Sequence, residues 1–77
     1  MERIAAQYLN PGDIIAPLST DDPAILETTF TWEGAYGLTT ELTYRYEGST
    51  VPTTLRTTAT RQVTVLERAS LPDRFTV

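Results

Sequence analysis

The chain has 77 residues and a net charge of −4, with ten acidic side chains, six arginines and no lysine, histidine or cysteine. That size suits one domain, the missing cysteines exclude disulfides and thiolate metal sites, and the acidic balance disfavours a nucleic-acid binder that must neutralise phosphates. No apolar run nears the roughly 20 residues of a membrane span, and the first residues lack the charged-then-apolar layout of a signal peptide, so a cytoplasmic, soluble protein is expected.

Glu2 to Leu9 reads as about two helical turns, with Ile4 and Tyr8 on one side. Asn10-Pro11-Gly12-Asp13 stops it in a tight turn that Asp13 closes. Ile14 to Ala16 reads as a short strand ended by Pro17, and Ser19 to Pro23 as a polar loop. The clearest signal follows. Leu26, Thr28, Phe30 and Trp32 alternate with polar residues, and after Gly34-Ala35-Tyr36-Gly37 the alternation resumes with Leu38, Thr40, Leu42, Tyr44 and Tyr46. Successive strand side chains point to opposite faces. Strands over 24–33 and 38–47 therefore form an antiparallel hairpin, and the even-numbered positions, Phe30 and Trp32 included, are expected to face a core.

Glu47-Gly48-Ser49 is the next turn, followed by a strand over 50–55. Pro52 lacks a backbone donor, which places that strand at an edge or at a bulge. Residues 56–60 read as a connector, and Gln62 to Glu67 as the last strand with Val63 and Val65 inward. The tail over 69–77 carries Leu71, Phe75 and Val77 and is too apolar for an idle solvated end; it packs back or docks on another chain. Fifteen threonines suit the pleated surface. Five short strands with tight turns predict an all-β domain: a small SH3-like barrel or a strongly curled antiparallel sheet, with a short N-terminal helical turn.

Three segments together resemble small proteins of actinobacteria and their phages. They are Ala6-Gln7-Tyr8-Leu9-Asn10-Pro11-Gly12-Asp13-Ile14-Ile15, the hairpin end Tyr44-Arg45-Tyr46-Glu47-Gly48, and the closing Val63-Thr64-Val65-Leu66-Glu67. The resemblance spans roughly residues 5–67 and implies an SH3-like small β-barrel. That group has mostly no assigned activity, so the likeness carries the fold and no mechanism.

Little in the chain supports catalysis. A nucleophile needs an adjacent base, and Ser19, Ser49 and Ser70 have no histidine, cysteine or lysine to activate them. Asp21-Asp22 is the only adjacent carboxylate pair and sits on a loop. Any metal site must be all-oxygen; Asp13, Asp21, Asp22 and Glu27 are the available ligands, and turn capping explains the aspartates more simply. The glycines all fall at turns and form no phosphate loop. No cofactor, membrane or small-molecule substrate is implied.

Binding is the expected role. Residues 1–47 hold eight acids and two arginines, whereas residues 48–77 hold two acids and four arginines. These halves face each other across the fold, or the second forms an anion-binding patch. Tyr36 at the hairpin tip is a contact anchor. With Pro52 at an edge strand, Arg56, Arg61 and Arg68, and Leu71 and Phe75 in the tail, it makes the candidate surface for a protein partner or for self-assembly. The alternative is nucleic-acid binding through Arg56, Arg61, Arg68 and Arg74.

Overall fold

The computed structural model describes residues 2–17 and 22–69. It is all-β. The strands are β1 (Glu2–Ala5), β2 (Ile14–Ala16), β3 (Ala24–Gly34), β4 (Gly37–Tyr46), β5 (Thr53–Thr58) and β6 (Gln62–Glu67), with one 3₁₀ turn at Ala6–Tyr8. All six join in one antiparallel sheet of order β1-β6-β2-β3-β4-β5. The sheet is curled and not closed: β1 and β5 are its two edges. No helix among the described residues is long and apolar enough to cross a membrane.

Three expectations are corrected. The N-terminal segment is a strand followed by a single 3₁₀ turn, not two turns of α-helix, which makes six strands rather than five. A helix of eight residues is unstable alone, and the ladder from Glu2↔Val65 to Ala5↔Gln62 supplies partners that a helix there lacks. The strand expected over 50–55 lies at Thr53–Thr58, so Pro52 precedes it and Arg56 belongs to the strand rather than to a connector. Proline cannot donate to the ladder, and pairing starts only after it. The third correction concerns Phe30 and Trp32.

Leu26 opposes Tyr44, but Thr28 opposes Thr43, so Glu27 is an extra residue on β3. Such a bulge shifts every later side chain to the other face. Before it, Ala24 and Leu26 are buried with Leu42 and Tyr44. Beyond it, Thr29 and Thr31 share the inner face with Leu42 and Thr40, while Phe30 and Trp32 turn outward opposite Glu41 and Thr39. Phe30 is 64% exposed.

With no second layer among the described residues, the sheet buries a core by curling. Here β2 and β6 bring Ile15, Val63 and Val65 against Leu26, Leu42 and Tyr44, with Ala6 and Leu9 of the N-terminal segment packed among them and Leu55 half-buried beside them. The Tyr44 and Tyr46 rings meet edge to face at 5.5 Å. Burial, then the neighbouring Tyr46 phenol, pushes the Tyr44 hydroxyl above its ordinary pKa of 10.0.

The Pro-Gly-Asp turn is a junction as well as a bend. Asp13 is fully buried. One carboxylate oxygen accepts from the Asn10 amide at 2.9 Å, and the other from the Ala69 amide at 2.7 Å. Arg68 Nε lies 3.7 Å away. The carboxylate thus closes its own turn, as expected, and also ties it to the residues after β6. Gly12 has φ +97°, and a Cβ there would come within 3.1 Å of Ala69 Cβ, so both the turn and the junction require glycine.

Candidate functional site

Directly opposed residues share a sheet face, so the register defines the outer surface of the β3–β5 hairpins. One row is Phe30, Glu41 and Arg56; the next is Trp32, Thr39 and Thr58. A third is Thr28, Thr43 and Thr54, whose last two hydroxyls lie 3.4 Å apart. Phe30 and Trp32 are two residues apart on one strand, and their rings stack at 5.5 Å with an interplanar angle of 21°. Arg56 reaches across β4, with its guanidinium carbon 5.7 Å from the Trp32 ring centroid. Its Nε donates to Glu41 Oε2 at 2.8 Å.

The result is a flat aromatic step edged by one cation and by threonine hydroxyls. Cation–π attraction and the Glu41 bond both orient Arg56, although its side chain is 71% exposed. The surface can stack a planar or apolar group and donate to an anion beside it. Along the same face, Ile25 is half exposed opposite Ile14, and the Glu27–Arg45 ion pair at 3.1 Å stands between this apolar spot and the aromatic step. The hairpin's outer strand, β5, is a sheet edge with six residues and no proline within it. A free edge can pair with another strand.

The residues singled out from sequence are dispersed. Tyr36 is wholly exposed in the two-residue turn between β3 and β4. Pro52 is exposed just before the edge strand. Arg56 belongs to the aromatic face. Arg68 pairs with Asp13 and approaches Glu2 at 4.0 Å, which makes it part of the Asp13 junction. Arg61 precedes β6 and lines a different cavity, with Arg3. Leu71, Phe75 and Arg74 lie outside the described residues. The described arginines of the second half, Arg56, Arg61 and Arg68, therefore occupy three settings, and two of them pair with acids of the first half, Arg56 with Glu41 and Arg68 with Asp13.

No three acidic side chains are grouped to hold a metal among the described residues. Asp13 and Glu27 are engaged separately, Asp13 with backbone amides and Glu27 with Arg45.

Phe30 and Trp32 escaped the sequence reading, which placed them in the core. A signal existed in arithmetic. The two-residue turn pairs Gly34 with Gly37, and that register opposes even positions of β3 to odd positions of β4. Apolar residues at even positions in both strands therefore cannot all share a face unless a bulge intervenes.

No protein-family model matches the chain, and no curated protein and no solved structure matches it.

Proposed function

We propose that the chain is a non-enzymatic interaction module that binds a protein partner through the outer face of β3, β4 and β5. The observation that carries this is the stacked pair of exposed Phe30 and half-buried Trp32 under Arg56, on the outer face of the sheet beside the edge strand β5. Aromatic residues and arginine dominate the energetic centres of protein interfaces, and β5 adds backbone donors and acceptors. Tyr36 at the hairpin tip extends the same hairpin as a further anchor. The absence of histidine, cysteine and lysine from the chain supports a binding role over catalysis. The likeness around Pro11-Gly12-Asp13 supports an SH3-like, phage-derived accessory protein acting in the host cytoplasm.

Trp32 is the chain's single tryptophan, so its emission reports on this face directly. Self-assembly predicts a blue shift and rising light-scattering mass as concentration increases, both abolished in Phe30→Ser. A different protein partner predicts no change on dilution and a blue shift when the captured partner is titrated, again lost in Phe30→Ser. Capture of the same partner by wild type and by the Phe30→Ser, Arg56→Glu double variant with equal affinity refutes the proposal.

A second reading is favoured by the same pair: stacked rings beside an arginine form a platform for bases of single-stranded nucleic acid. Glu41 and Glu33 on the hairpin, and the net charge of −4, oppose it. Oligonucleotide binding at low salt that weakens steeply as salt rises, and disappears in Trp32→Ser, would select this reading.

A further inference from the structure

Five arginines fall among the described residues. Three of them, Arg45, Arg56 and Arg68, lie within 4.0 Å of a carboxylate. The other two, Arg3 and Arg61, have no such partner among the described residues, and both line one cavity of about 380 Å³. Gln62 and Thr64 supply its polar wall, Ala16 and Pro17 an apolar one, and no acidic residue lines it among the described residues. In a chain with four more acids than bases, two guanidiniums at one cavity with no carboxylate partner among the described residues form a local site of opposite sign.

The fold places these groups firmly. Thr64 of β6 opposes Arg3 of β1 on one side and Ala16 of β2 on the other, so the three form a row across neighbouring strands. The adjacent rows, Ile4↔Val63 and Ile15↔Val65, face the core, which turns this row outward. Arg61 is held at its backbone from both sides: its amide donates to the Thr58 carbonyl at 3.1 Å, and its carbonyl accepts from the Ala6 amide at 2.8 Å.

We propose that this cavity binds the phosphate group of a small organic phosphate. Planar guanidinium forks match phosphate oxygens, and two of them match the charge of a phosphate monoester, which is close to two at neutral pH. The Thr64 hydroxyl and the Gln62 amide add donors. The volume falls within the range of about 300–1,000 Å³ for small-molecule sites and exceeds what one phosphate needs, which leaves room for an organic body against Ala16 and Pro17. This site is separate from the aromatic face and stands or falls without it.

The test is an amide-resolved NMR titration at low ionic strength with glycerol 3-phosphate, inorganic phosphate and acetate, in wild type and in Arg3→Gln, Arg61→Gln and Arg56→Gln. Folding of each variant is checked by circular dichroism. Saturable shifts centred on Arg3, Gln62 and Thr64 are expected, strongest with glycerol 3-phosphate, weaker with inorganic phosphate and weakest with acetate. Arg3→Gln and Arg61→Gln should each weaken binding at least tenfold, Arg61→Lys should lose less, and Arg56→Gln should change nothing. The proposal is overturned by shifts that never saturate, by equal response to acetate, or by glycerol 3-phosphate binding no tighter than inorganic phosphate. Equal loss in Arg56→Gln, or a single-stranded oligonucleotide binding more tightly than glycerol 3-phosphate, overturns it too.

Discussion

The two halves of β3 carry the same alternation and do opposite things. From Ala24 to Leu26 the even positions are buried against Tyr44 and Tyr46 across the ladder. From Thr28 to Trp32 the even positions look outward, and the inner positions pass to Thr29 and Thr31. One inserted residue, Glu27, separates the halves. The difference teaches that an apolar stripe is not by itself a core: the first half turns Ala24 and Leu26 into it, whereas the second half turns threonines inward, opposite buried Leu42 and Thr40, and carries exposed Phe30 and half-buried Trp32 on the outer face. On that inner face the Thr31 and Thr40 hydroxyls are bonded at 2.9 Å.

Substitutions can break this contrast. The largest effect is expected for Leu42→Ala, whose fully buried side chain leaves a cavity in the shared core; about 2–5 kcal/mol should be lost in chemical denaturation. Phe30→Ala run in parallel should lose less than about 1 kcal/mol, because an exposed ring forfeits mainly its stack with Trp32. Equal losses at the two positions would mean that the outer and inner faces have been misassigned.

Asp13→Ala comes next. It strands the Asn10 and Ala69 amides that the carboxylate accepts from, at a cost of roughly 1–3 kcal/mol. Hydrogen exchange should show the loosening concentrated at the 10–13 turn, at Leu26, whose amide donates to the Asp13 carbonyl, and at Ala69, with the distal hairpin little changed. A smaller effect, below about 1 kcal/mol and shrinking with added salt, is expected for Arg56→Gln, since its ion pair is exposed. Trp32 emission should nonetheless shift, because the guanidinium leaves the ring.

The mildest perturbation changes no residue. The raised Tyr44 pKa means that the folded protein holds this proton where the unfolded chain gives it up. Its contribution to stability is fully present below pH 10 and is lost as pH climbs through the raised folded value. Denaturation midpoints should fall in that alkaline window, and Tyr44→Phe should flatten the decline. An unchanged slope in Tyr44→Phe would assign the alkaline loss to other groups.

Much of this was legible beforehand. Strand bounds at Ile14–Ala16 and Gln62–Glu67 follow from short apolar runs flanked by turn residues, and the central hairpin from its alternation and glycines. The role of Asp13 in closing its turn follows from Pro11-Gly12 before it. Its second bond, to Ala69, joins residues 56 positions apart and no local pattern announces it. Arg3 and Arg61 gave no sign of belonging together, because only the β1–β6 pairing makes them neighbours of one cavity.

The amino-acid order alone determined an all-β chain, since threonine-rich period-two runs and glycine turns leave no other regular structure for the central residues. It also settled the charge and the missing nucleophile partners. Tertiary structure decided which side of the sheet each run faces, that Glu2–Ala5 is a strand, and that Phe30, Trp32 and Arg56 form one surface. The physical reason is that local sequence sets the period of alternation, while facing is set by register, and register is chosen by pairing between distant strands, where a single extra residue inverts everything beyond it.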